Sequence, residues 1–166
     1  MIDIERHGIK IMETGKKPAN PNANKYLEAK IRTASREQLL MMLIDGAIRF
    51  TEQGKQKLAE SRYEEMNASF SRAQAIMLEL ISSLNESTMD KEVYTNIIGL
   101  YKFIYLRLVN VNTKHEVSQA DEALEVLGNV REIWLTAIEK MYEDGASKMD
   151  MIPKGSESGL GFVAEG

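Results

Sequence analysis

The chain has 166 residues, of which 43% are apolar and 28% charged, with a net charge of -4 and no cysteine. The missing cysteine excludes disulfides and thiol catalysis. The mild acidic balance offers no basic excess of the kind that phosphate backbones recruit, so nucleic acid is not an expected partner. No apolar run approaches the roughly 20 residues needed to span a bilayer, and the start, MIDIERHGIK, lacks the unbroken apolar core of a signal peptide. A soluble, cytoplasmic protein without membrane insertion is the expectation.

In chain order, residues 1–24 come first, with Gly15, Pro18 and Pro21 among Asn20, Asn22 and Asn24. That composition resists regular structure and predicts a flexible N-terminal segment. Residues 25–142 follow with no proline and only four glycines, Gly46, Gly54, Gly99 and Gly128. Such sparse punctuation favours helices over strands. Residues 143–166 carry Gly145, Pro153, Gly155, Gly159, Gly161 and Gly166, and read as a flexible C-terminal tail.

Within the middle stretch, Tyr26 and Ile31 precede Thr33-Ala34-Ser35, where Ser35 and Gln38 have the spacing of a capping box. Leu39, Leu43, Ala47 and Phe50 then recur at helical spacing, and the helix is expected to reach about Glu60. A second segment aligns Tyr63, Met66, Phe70, Ala73, Met77, Leu80, Ile81 and Leu84 opposite Glu64, Glu65, Arg72 and Glu79. The run Asn85 to Thr88 makes a turn. The third segment aligns Val93, Ile97, Leu100, Tyr101, Ile104, Leu108 and Val111 until Asn112-Thr113 interrupts it. In the fourth, Leu124, Leu127, Trp134, Ile138 and Met141 form one stripe, with Val130, Ile133 and Ala137 beside it. Four amphipathic helices on short polar turns bury their stripes together as an antiparallel up-down four-helix bundle, here with an N-terminal capping segment.

Catalytic signatures are weak. His7 and His115 have no helical carboxylate or histidine partner at metal-ligand spacing, so no metal or cofactor is expected. Ser35 reads as a helix cap before it reads as a nucleophile. The acidic pairs Glu64-Glu65 and Asp121-Glu122 fit solvated faces, and the chain is not expected to be an enzyme.

Two features point to a binding surface. Ten methionines, including Met41, Met42, Met66 and Met77, suit either gap-filling in a core or an adaptable surface for apolar partners. Leu39 to Ile44 are six consecutive apolar residues, so they wrap most of the first helix, and a bundle covers only one side of it. On the third helix, Tyr94, Ile98 and Tyr105 also fall outside the main stripe. The N-terminal segment, a second copy or a partner helix must meet the surplus.

Several short fragments spread over residues 24–141 carry a further signal. They are Tyr26 and Ile31 before Thr33-Ala34-Ser35; Leu39-Leu40 with Asp45-Gly46-Ala47-Ile48-Arg49-Phe50; and Asn67 with Arg72-Ala73-Gln74. Further along come Glu79-Leu80 with Ser83-Leu84-Asn85, then Asn96 with Leu100-Tyr101. Arg107-Leu108 with Asn112, and Val126-Leu127 with Arg131-Glu132 and Trp134, complete the set, which resembles, in order, the family of flagellin-specific export chaperones known as FliS. The chain departs from the pattern at Arg36, where the family has Pro, at Ile44, where an aromatic is common, and at Thr88-Met89-Asp90, which replaces a Gly-Gly turn. The long segment before Tyr26 and the Gly-rich tail are also atypical.

The resemblance implies a chaperone that binds the C-terminal helical region of flagellin, prevents premature polymerisation and assists type III export. The export apparatus or a co-chaperone would be further partners, and monomer and homodimer are both open. It implies that the segment around Tyr26 and Ile31 covers an apolar pocket and yields to the client. Partner-binding residues are expected at Leu39, Leu43, Ile48, Asn96, Leu100, Tyr101 and Ile104, with core packing the competing role for Leu43, Leu100 and Ile104. Replacement of Tyr101 by Ala is expected to lower affinity more than stability. Gly46 and Trp134 read as architectural, with the indole N–H near the edge of the core. A helical scaffold or regulator that binds another amphipathic helix is the alternative.

Overall fold

The computed structural model describes residues 21–144. Within them lie α1 (Pro21–Thr33), α2 (Arg36–Ala59), α3 (Tyr63–Ser83), α4 (Lys91–Lys114) and α5 (Val117–Glu143), with a 3-10 turn at Glu86–Thr88 and no strand. In the ring of α2 to α5, each helix packs on two neighbours: α2 on α3, α3 on α4, α4 on α5 and α5 back on α2. Short connections make the neighbours antiparallel, which gives the up-down bundle. α1 packs much less extensively on the ring.

Local signals set the boundaries. Ser35 Oγ accepts from Gln38 N (3.2 Å), while Ser35 N donates to Gln38 Oε1 (2.9 Å), so the capping box forms with Arg36 in the usual place of Pro. α2 ends in a left-handed residue, Ser61, at φ 56°, with Arg62 N donating to Lys57 O (2.9 Å) and Ser61 N to Leu58 O (3.0 Å). This paired closure satisfies the last carbonyls of the helix. Asp90 caps α4 by accepting from Glu92 N (2.9 Å) and Val93 N (3.2 Å). His115, at φ 58°, closes α4, and its ring stacks on Tyr63 at 4.8 Å, which ties two loops together at one end of the bundle.

The core is built from Ile44, Ala47, Phe70, Ala73, Met77, Ile104, Leu108, Val111, Ala123 and Leu127, all fully enclosed. At roughly 25 cal/mol per Å² of apolar surface removed from water, such burial is the main favourable term in folding. Close approach of α2 to α3 depends on glycine. A Cβ on Gly54 would lie 2.6 Å from the Phe70 ring, and one on Gly46 would lie 3.3 Å from Ile76 Cδ1.

Several expectations are corrected. Pro21 opens a helix where irregular chain was expected, because proline at a first helical position sacrifices only an N–H that has no partner anyway. Asn112 and Thr113 do not interrupt α4, which continues to Lys114. Glu79 is buried instead of facing solvent. Ile133 and Met141 leave the core stripe of α5: Ile133 is 47% exposed and Met141 half-buried. The remaining expectations for the two tails concern residues 1–20 and 145–166, which lie outside the described residues.

Candidate partner-binding surface

The run Leu39 to Ile44 separates into two environments. Leu40 and Ile44 are buried, whereas Leu39, Met41, Met42 and Leu43 are only half-buried. Successive helical residues point about 100° apart, so six consecutive large apolar side chains cannot all face one bundle interior. The half-buried members flank the stripe and line its seams with neighbouring helices.

Inter-helix contacts show which seam each residue borders. Leu39, Leu43, Gly46, Phe50 and Gly54 share one side of α2, and Gly46 and Gly54 face Ile76 and Phe70 of α3. Leu39 and Leu43 therefore border the α2–α3 seam. Met41, Asp45, Ile48 and Lys55 share the opposite side, where Arg131 Nε donates to Asp45 Oδ1 (2.7 Å) and Lys55 Nζ meets Asp121 Oδ1 (2.5 Å). Ile48 therefore borders the α2–α5 seam. Asn96 and Leu100 lie on the side of α4 that carries Arg107, whose Nη1 donates to Gln119 Oε1 (3.3 Å) and whose Nε lies 2.6 Å from Glu122 Oε2. They border the α4–α5 seam, Asn96 exposed and Leu100 half-buried. Three seams, and no single groove, hold the predicted residues.

Two of those residues are core. Tyr101 is 1% exposed and Ile104 is fully enclosed, so neither presents surface to a partner in this structure. Trp134 Nε1 donates to Tyr101 Oη (2.8 Å) in the buried interior. This places the indole N–H deep in the bundle and corrects the expectation of an edge position. Burial pushes the Tyr101 hydroxyl well above its ordinary pKa, more than the Trp134 hydrogen bond lowers it. Tyr26 is 69% exposed, while Ile31 is 6% exposed and anchors α1.

Met41, on the α2–α5 side, and Met42 are the other half-buried residues of the first turns of α2, and neither stands in the predicted set. Their position in an over-long apolar run was the available signal. Charges hold the seams shut at intervals. The Arg49 and Arg72 guanidinium groups lie 5.1 Å and 5.6 Å from the Phe50 ring centroid, and burial lowers the Arg72 pKa. The hydrogen bond that Arg131 donates to Asp45 holds the guanidinium above its ordinary pKa. Among the described residues no group of His, Asp or Glu is placed to hold a metal ion, and no helix is long and apolar enough to cross a membrane.

The fragments noted in the sequence meet in pairs across the bundle. Besides Asp45 with Arg131, Asn67 Nδ2 donates to Asn112 Oδ1 (3.2 Å), Gln74 Nε2 to Leu108 O (3.2 Å), and Trp134 to Tyr101. A sequence model described as flagellar protein FliS matches residues 18–141, three-quarters of the chain. The chain belongs to the FliS family. Among similar proteins, the flagellar secretion chaperone FliS of Bacillus subtilis (strain 168) is 27% identical over 119 residues, covering 72% of this chain and 87% of that protein. Its counterpart in Escherichia coli (strain K12) is 28% identical over 109 residues, covering 65% and 79%. That of Salmonella typhimurium (strain LT2) is 25% identical over 108 residues, covering 65% and 80%. FliS is a family of chaperones and not of enzymes. In this member, the paired fragments link neighbouring helices of the bundle.

Proposed function

We propose that this chain is a cytoplasmic flagellar secretion chaperone that binds the C-terminal helical region of flagellin, prevents its premature polymerisation and assists its type III export. The observation that carries the reading is the half-buried state of Leu39, Met41, Met42 and Leu43, on the two flanks of a helix whose inner face is already filled by Leu40 and Ile44. Leu100 and Asn96 add surface on the α4–α5 seam, and Ile48 on the α2–α5 seam. Because the three seams lie around the ring, a client that touches all of them wraps the bundle as an extended series of short amphipathic helices. A segment that is disordered alone and folds on contact suits that geometry, since its ordering cost is met by apolar burial along the seams.

The FliS membership supports the client class, and the half-buried Met41 and Met42 support adaptable apolar packing. In this reading α1 is a light cover held through Ile31, which the client displaces. Calorimetric titration of the full chain with flagellin, and with flagellin lacking its C-terminal region, tests it. Binding to the first and loss of binding to the second are expected. Equal binding to both would favour a helical scaffold that takes a different amphipathic partner. A variant lacking residues 1–31 should bind more hydrophobic dye while staying folded, and no increase would remove α1 from the account.

A further inference from the structure

The outer face of the last three turns of α5 carries an open, mostly apolar groove of about 580 Å³. Two rows run along it at the four-residue spacing of one helix face. Ile133, Ala137 and Met141 form an apolar row, and Glu132, Thr136, Lys140 and Asp144 a polar one. Among the described residues the lining comes from α5 alone, and none of these side chains is among those assigned to the client. Ile133 stays 47% exposed. The Glu132 side chain, 72% exposed, reaches Arg131 only at 3.8 Å, and Lys140 forms no ion pair among the described residues.

We propose that this face is where two copies of the chain meet, through antiparallel contact of their α5 helices about a two-fold axis near Thr136 and Ala137. Each row is complementary to itself when reversed. In the polar row, Glu132 and Lys140 stand four residues either side of Thr136. A two-fold axis there sets Glu132 of each copy against Lys140 of the other, and Asp144 against Gly128. A parallel pairing would oppose like charges at both positions instead. In the apolar row, Ile133 and Met141 stand four residues either side of Ala137, so the same operation sets Ile133 against Met141 of the second copy. The two centres differ by one residue, about 1.5 Å along the helix, so one axis serves both rows. Ala137 at the centre carries only a methyl and lets the two backbones approach. Burial of the apolar row supplies the association, and the charges fix direction and register. A pair of single-helix faces falls short of the roughly 1,200 Å² buried in stable complexes, so the dimer is weak and forms with rising concentration.

Sedimentation equilibrium of the full chain, from micromolar to millimolar concentration, should show a reversible monomer–dimer transition. Lys140→Glu and Glu132→Lys, both at exposed positions, should each weaken it at least about fivefold by turning two attractions into two repulsions. The swap Glu132→Lys/Lys140→Glu should restore it, and an equimolar mixture of the two single variants should pair better than either alone. The native chain has no cysteine, so Thr136→Cys at the axis gives a second readout. Under mild oxidant it should link two molecules at least about tenfold faster than Asn129→Cys, likewise exposed on α5, whose mate would lie about 22 Å away along the helices. A chain that stays monomeric at millimolar concentration overturns the proposal. A dimer indifferent to the charge variants, or equal rates for the two cysteines, overturns it as well by placing the contact elsewhere. Neither readout involves flagellin, so both are independent of the client.

Discussion

The middle of the bundle and the first turns of α2 are equally rich in large apolar residues but differ in what they do with them. In the middle, Tyr101, Ile104, Leu108, Leu127 and Trp134 are enclosed, and the one polar pair among them is satisfied by the indole-to-hydroxyl hydrogen bond. In the first turns of α2, only Leu40 and Ile44 are enclosed, and Leu39, Met41, Met42 and Leu43 stay half-open at the seams. Apolar content alone therefore does not separate enclosed from half-open positions. Angular position around the helix, measured against its two neighbours, does.

The comparison is broken most severely by mutation in the enclosed region. Trp134→Ala should cost about 3–5 kcal/mol through lost burial and a cavity, read as a large drop in the denaturant midpoint. Tyr101→Ala should behave similarly and cost stability more than affinity, which reverses the expectation from the sequence. Its hydroxyl also predicts a pH dependence. Burial raises the folded pKa above the ordinary value of about 10. The neutral form is thus favoured in the folded state, and its contribution is full below about pH 10 and lost as pH rises beyond that. Tyr101→Phe should flatten the alkaline loss of stability seen in urea titrations.

An intermediate effect is expected where α2 meets α3. Gly54→Ala forces a methyl against the enclosed Phe70 ring and should destabilise by about 1–3 kcal/mol, even though alanine is the better helix former. Gly99→Ala on α4 is the control. Nothing lies within 4 Å of the added carbon, so a gain of about 0.5–1 kcal/mol from helix propensity is expected.

The half-open region should show the opposite balance. Leu39→Ala/Leu43→Ala should lower flagellin affinity at least about tenfold, or about 1.4 kcal/mol, while lowering the thermal midpoint less than Trp134→Ala does. Smallest of all should be Asp45→Asn, since an exposed ion pair such as Asp45–Arg131 is worth about 0–1 kcal/mol. Double-mutant cycles at low and high salt would measure it.

Much of the fold was legible because its signals are local. Ser35 and Gln38 announce the start of α2 by spacing alone, and apolar periodicity placed the four bundle helices. The site was less legible, because a stripe has a centre and two flanks that only the neighbours define. Leu100 and Tyr101 are adjacent in sequence, yet one borders a seam and the other lies in the core. Ile133 and Trp134 divide in the same way. Pro21 misled because proline both breaks helix interiors and begins helices, and Glu79 because its charge gave no hint of a buried position. Asp45 and Arg131, 86 positions apart, illustrate a contact visible only once the helices are packed.

Methionine methyl resonances offer the most direct discrimination between the two regions. On titration with the flagellin C-terminal segment, the methyls of Met41 and Met42 should shift strongly while those of the enclosed Met66 and Met77 stay near their free positions. Saturable binding that leaves Met41 and Met42 unmoved, or that shifts all four alike, would contradict the assignment of the first turns of α2 to the client.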